Sequence, residues 1–161
     1  MKKTEIVKEI IPYVIIIIVV IVIRTFILTP VIVNGSSMSP TLKGKEVMLL
    51  SKLSNIKRFD VVVIKARDDR LIKRVIAMPG ETIEIKDNQI FINDKLLKEN
   101  FGKGITSDVG KRTLKSDEYY VLGDNREDSK DSRFYGPFKK KDIQGSTSFI
   151  IYPFKSFGKI K

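Results

Sequence analysis

Ser37 stands in Gly35-Ser36-Ser37-Met38-Ser39-Pro40-Thr41-Leu42, in a chain of 161 residues with no histidine and no cysteine. A nucleophilic serine here must give its proton to a lysine or a carboxylate, because the imidazole of the familiar triad is absent. The lysine best placed for that role is Lys73, set in the apolar run Leu71-Ile72-Lys73-Arg74-Val75-Ile76-Ala77-Met78-Pro79-Gly80. Strand alternation puts Lys73 on one face with Leu71 and Val75, and Arg74 on the other with Ile72 and Ile76. An ordinary lysine is neutral in only about one molecule in 2,500 at pH 7, so a lysine base needs its pKa lowered by roughly 2 to 3 units, about 3 to 4 kcal/mol. Burial among aliphatic side chains supplies such a shift. Arg74 is excluded from the base role, since guanidinium does not deprotonate in proteins, and is expected to pair with an acid.

Neither residue is diagnostic alone. A Gly-Ser-Ser turn also serves as plain loop, and a strand lysine also sits at a sheet edge with its ammonium in water. Gly35 relieves backbone crowding and Pro40 fixes a turn, so the intervening chain can present both the Ser37 hydroxyl and its amide N–H to a substrate carbonyl. Acids able to meet Arg74 occur in Gly123-Asp124-Asn125-Arg126-Glu127-Asp128-Ser129-Lys130-Asp131-Ser132-Arg133. A solvated loop has similar composition, yet the alternation of Ser129, Asp131 and Arg133 allows hydroxyl and ion-pair contacts that orient a neighbouring amine.

These residues need a scaffold, and composition limits it to one compact domain beyond any membrane segment. Without cysteine there are no disulfides or thiol nucleophiles, and without histidine most metal chemistry is removed; no cofactor and no metal are expected. The formal charge is +11. Residues up to Leu28 hold a net +2, which leaves about +9 on the remainder. Such an excess suits an anionic lipid surface or nucleic acid, but the lysines are scattered and not interleaved with aromatics, so nucleic acid is not expected as a partner.

From Ile10 to Ile23 only Pro12 and Tyr13 interrupt a run of Ile and Val, and the apolar stretch reaches Leu28 if Arg24 snorkels to the headgroups. Nineteen helical residues span roughly 28 Å, close to a hydrocarbon core of about 30 Å. No small-x-small site directly follows the run, which favours a retained anchor over a cleaved signal. Lys2, Lys3 and Lys8 place the N-terminus in the cytoplasm by the positive-inside tendency. The expected organisation is a cytoplasmic stub over 1–9, a single-pass anchor in the cell membrane over 10–28 and an extracytoplasmic domain over 29–161.

Past Pro30 the chain reads as short strands: Val47 to Leu50, Asp60 to Lys65, Leu71 to Ala77, Thr82 to Lys86, Gln89 to Ile92, Tyr119 to Leu122 and Ser148 to Tyr152. Asp87-Asn88 and Asn93-Asp94 are hairpin turns by residue type. Asn100 to Lys111, with three glycines, reads as a mobile loop. The fold class is all-β, a coiled or barrel-like antiparallel sheet after one N-terminal transmembrane helix.

Four blocks, Gly35 to Leu42, Arg58-Phe59-Asp60-Val61-Val62, Ile72 to Glu81, and Gly123-Asp124-Asn125-Arg126 with Ser129, Asp131, Ser132, Arg133 and Gly136, resemble in type and order the bacterial type I signal peptidases, in their compact Gram-positive-like form. The resemblance implies a membrane-bound serine endopeptidase that removes N-terminal signal peptides from exported preproteins after a small-x-small site. By position, Ser37 would be the nucleophile, Lys73 the general base and the Ser37 backbone N–H an oxyanion donor. Ser129 would orient the lysine amine, Asp131 with Arg133 and Asp124 with Arg74 would support the site, and Met38 would contact substrate or lipid. Preproteins and membrane lipid are the implied partners.

The chain departs from the pattern at Gly35, where some relatives carry a serine that donates a second oxyanion hydrogen bond, and at Phe59, where a glycine is frequent. The competing reading is a catalytically silent relative acting as an assembly factor or chaperone for surface structures, which should lack the serine or the lysine. A Ser-Lys self-cleaving repressor would instead begin with a DNA-binding helix-turn-helix.

Overall fold

The computed structural model describes residues 3–66 and 69–160; residues 1 and 2, which head the expected cytoplasmic stub, lie outside them. Helix α1 (Lys3–Val22) continues as a turn of π-helix, Ile23–Ile27. The segment Lys8–Ile27 is long and apolar enough to cross a membrane and is exposed along its whole length. An apolar helix with no protein surface to pack against is matched to lipid. Its end is fixed to the domain by Lys52, whose Nζ donates to the Thr25 carbonyl at 2.6 Å.

The chain then runs into strands β1 (Leu28–Ile32), β2 (Val47–Ser51), β3 (Val61–Ala66), β4 (Asp69–Ala77), β5 (Thr82–Lys86), β6 (Gln89–Ile92), β7 (Lys95–Leu96), β8 (Val109–Thr113) and β9 (Glu118–Leu122). A one-turn helix, α2 (Ser132–Tyr135), precedes β10 (Phe138–Lys139), β11 (Ile143–Tyr152) and β12 (Gly158–Lys159). The larger sheet has the order β1-β2-β11-β3-β4-β9-β10, with β12 on β11, and the smaller the order β7-β6-β5-β8; every strand pairing is antiparallel. This is an all-β domain after one N-terminal helix, as its alternating apolar pattern predicts.

Strand β11 carries the bend that coils the larger sheet. Its register against β3 shifts between Ile143 and Gly145, and a Cβ on Gly145 would overlap the Ser51 carbonyl of β2. Such irregularities bend a strand and strengthen its twist. One apolar cluster, with Val31, Val33, Met38, Leu42, Val61, Val63 and Ile72, packs under the chain that carries Ser37. A second, including Ile76, Ile83, Ile85, Ile90 and Tyr120, joins the two sheets.

Both hairpin turns form with positive φ, at Asp87 and Asn88 and at Asn93 and Asp94. The stretch expected to be mobile is not a free loop. Val109–Thr113 is strand β8, paired with β5, and its residues beyond Val109 are exposed, so no apolar alternation marks it. β1 was also hidden, because it follows the apolar helix without a break in hydropathy.

Candidate active site

Lys73 lies in β4 opposite Val62 of β3, with only 3% of its surface exposed, and its Nζ donates a hydrogen bond to Ser37 Oγ at 2.7 Å. Desolvation by the surrounding core lowers its pKa from 10.5 to about 8; Arg133 lowers it further, while Asp131, Asp124 and Asp128 act in the opposite sense. With that pKa about one lysine in ten is neutral at pH 7. The amine can therefore accept the proton of the hydroxyl it touches.

Ser37 is held by the segment Gly123 to Asp128. The Asn125 N–H donates to the Ser37 carbonyl at 3.0 Å, and the Ser39 N–H closes the local turn onto the Ser36 carbonyl at 2.9 Å. Gly123 is required at this crossing, since a Cβ there would overlap both Ser129 Oγ and the Ser37 carbonyl. Ser36 Oγ donates to the Asp128 carboxylate and ties the residue before the nucleophile to the same segment. The Ser37 N–H makes no backbone hydrogen bond among the described residues, so it is available to an incoming carbonyl oxygen.

The two acid–base pairs expected from the sequence are both formed. Arg74 Nε and Nη2 donate to the two oxygens of Asp124 at 2.8 and 2.6 Å, while Arg74 Nη1 meets the Phe59 carbonyl. Asp131 accepts from Arg133 Nε and Nη2 at 2.9 and 2.8 Å, caps α2 through the Arg133 N–H and receives the Gly123 N–H at 3.0 Å. Burial by itself would raise the Asp131 carboxyl, but Arg133 and the Gly123 N–H outweigh it and hold the group below the ordinary carboxylate range. Asp131 thus stays ionised beside Lys73.

Ser129 and Met38 complete the surroundings of Ser37. Ser129 Oγ is buried against Gly123, beside the Asp131 carboxyl that it helps to hold low, and the lysine amine donates its hydrogen bond to Ser37. Met38 is 2% exposed within the apolar cluster under the turn. That burial leaves little of the side chain for the substrate or lipid contact expected of it, and Met38 packs beneath the Ser37 turn.

Sequence reasoning missed the residues that act across long separations. Besides Ser36, Asn125 and Asp128, Phe101 places its ring 3.7 Å from the Arg74 guanidinium carbon. The buried Arg126 reaches the Gly123 carbonyl, Thr106 and Glu99, which pins the 99–106 loop to the segment that holds Ser37. Nothing in the spacing of these residues announces the contacts.

Next to Ser37 and Lys73 the sheet leaves an opening. Among the described residues, β1 is paired only on its β2 side, and residues 69–73 of β4 are paired only on their β3 side. A cleft of about 290 Å³ lies between these edges, lined by Pro30, Val31, Ile32, Asn34, Arg70 and Ile72. Unpaired strand edges offer N–H and C=O groups to an extended peptide, so the cleft can accept one as an added strand.

Known proteins share this arrangement of sequence. The family described as signal peptidase, peptidase S26, matches residues 4–152. A signal peptidase I of Bacillus amyloliquefaciens is 36% identical over 155 residues, covering 86% of this chain and 84% of the relative. The signal peptidase I V of Bacillus subtilis strain 168 is 40% identical over 136 residues, covering 72% and 81%. A crystal structure of a signal peptidase I from Enterococcus faecalis V583 superposes with a TM-score of 0.52 at 30% identity, over 58% of this chain and 97% of that one.

Proposed function

The chain belongs to the signal peptidase family, peptidase S26, and on that premise we propose that Ser37 and Lys73 are the catalytic dyad with which it cleaves. It is a membrane-anchored serine peptidase that removes signal peptides from preproteins. The observation that supports the dyad is the 2.7 Å contact between Ser37 Oγ and the amine of a buried lysine.

In the proposed reaction neutral Lys73 takes the Ser37 proton as Oγ attacks the carbonyl before the scissile bond. The Ser37 N–H faces the oxyanion that forms. The lysine ammonium then protonates the leaving amine, the mature protein departs, and the signal peptide remains as an ester on Ser37. Lys73 next deprotonates a water that hydrolyses the ester, and the proton returns to Ser37 Oγ. Asp131 and Asp124 position the segment that holds Ser37, through the Gly123 N–H and through Arg74.

The precursor lies in the cleft between β1 and β4 as an extended strand, with small residues at the first and third positions before the cut. The N-terminus faces the cytoplasm and the domain works on the outer face, close to lipid. The test is cleavage of a signal-bearing precursor by the detergent-solubilised protein, with Ser37→Ala alongside and the new N-terminus sequenced. A cut after a small-x-small site that vanishes in the variant supports the reading; intact precursor across several substrates points to the silent assembly factor.

A further inference from the structure

The cleft beside the dyad ends in a cation that the proposed chemistry does not use. Arg70 lines it from β4 together with Ile72, opposite Pro30, Val31, Ile32 and Asn34. Val31 and Ile72 are buried and Arg70 is exposed, and its guanidinium has no hydrogen bond or ion pair among the described residues. Directly across the β3–β4 ladder stands Lys65, also exposed. Like charges at facing positions weaken a strand pair, so the fold gains nothing from this arrangement. The neighbouring Asp69 faces Ala66 in the register and projects to the other side of the strand.

Both runs that line the cleft lead to the dyad, β1 toward Ser37 and β4 toward Lys73. β1 begins where the membrane segment ends. A precursor whose hydrophobic segment lies in the same bilayer therefore enters at the Pro30 and Arg70 end, and the residues that pass Arg70 are on the signal-peptide side of the cut. Arg70 stands three residue steps before Lys73 along the strand, about 10 Å. That distance brings the fourth or fifth residue before the scissile bond to the guanidinium.

We infer that Arg70, with Lys65 across the ladder, selects precursors by charge, favouring an acidic side chain and disfavouring a basic one at the fourth or fifth position before the cut. The inference rests on the peptidase reading above. Its test uses the full chain in detergent micelles and one precursor carrying Asp, Gln or Lys at the fourth and, separately, the fifth position. The unaltered protein should favour Asp over Lys in kcat/KM by about two- to fivefold at one of these positions, with Gln between them. Arg70→Glu should reverse the order and Arg70→Gln should flatten it, and about 0.5 M salt should shrink every preference.

Each protein's rate on the Gln precursor is its own reference, against which its Asp and Lys rates are read. Asp-to-Lys ratios that are the same in the unaltered protein and Arg70→Glu at both positions would overturn the inference. So would an equal slowing of all precursors in Arg70→Glu, because the charge would then act on the fold or the membrane. Failure of the unaltered protein to cleave even the Gln precursor would sink the peptidase reading itself, a distinguishable result.

Discussion

Lys73 and Arg74, consecutive in β4 and each only 3% exposed, leave the strand toward opposite faces and meet opposite fates. Arg74 is matched by both oxygens of Asp124, whereas Lys73 meets a neutral hydroxyl. One cation is fixed in charge, and the other is poised to lose it. A single strand thereby supplies both the amine proposed as the base and a strut to the segment that holds Ser37.

Removing either member of the dyad should abolish cleavage. Ser37→Ala and Lys73→Ala are each expected to reduce kcat by at least about 10³, and Lys73→Arg should not rescue it, since guanidinium stays protonated. The check is precursor turnover by the purified variants. Substantial activity in Lys73→Ala would transfer the base role elsewhere.

The same lysine should cost stability. A base whose pKa falls from 10.5 unfolded to about 8 folded binds fewer protons when folded, so stability rises with pH between those values and the full penalty is felt below pH 8. The penalty is on the order of 3 kcal/mol. Lys73→Met, of similar volume, should therefore raise Tm at pH 6 and lose that advantage above pH 10. Thermal unfolding in detergent at the two pH values decides it; an equal or lower Tm at pH 6 would contradict the buried, depressed amine.

Breaking the Arg74–Asp124 pair should destabilise the domain. Both side chains are nearly inaccessible, and stranding one charge of a buried pair costs about 3 to 5 kcal/mol. Asp124→Ala is expected to lower Tm by about 10 °C and to lose cleavage with it. Arg74→Lys should not restore either, because an ammonium cannot make the two-pronged contact or the stack on Phe101.

Ser36 gives a milder outcome. Its hydroxyl is exposed and bonds Asp128, so Ser36→Ala should change the unfolding free energy by no more than about 0.5 kcal/mol. It should lower kcat more than it raises KM, because the turn that presents Ser37 is loosened while the cleft is untouched. A pure KM effect would place Ser36 in substrate binding instead.

How much of this was legible in the sequence follows the range of each contact. Strand periods and turn types are local, so the hairpins at Asp87-Asn88 and Asn93-Asp94 and most strands could be placed from residue patterns alone. The absence of histidine narrows the bases open to Ser37 to a lysine or a carboxylate, and its pairing with Lys73 is what the resemblance implies. The Ser36–Asp128 bond joins residues 92 apart, and a serine before a turn looks the same whether or not an acid meets it. β8 stayed hidden because an exposed strand such as Val109–Thr113 has no apolar face to alternate. The burial of Met38 was not legible for a different reason: an apolar residue beside a serine in a turn suits a surface subsite and a core floor equally well.

The most direct test of the central claim is the pH profile of kcat/KM for precursor cleavage, measured on the unaltered chain and on Asp131→Asn. The unaltered protein should show an acid limb that rises tenfold per pH unit and bends at about pH 8, where Lys73 loses its proton. Asp131→Asn should be slower but bend at lower pH, because Asp131 helps to keep the proton on Lys73 and Arg133 opposes it. A profile that is flat from pH 5 to 9, or a limb that Asp131→Asn leaves in place, would contradict Lys73 as the base that activates Ser37.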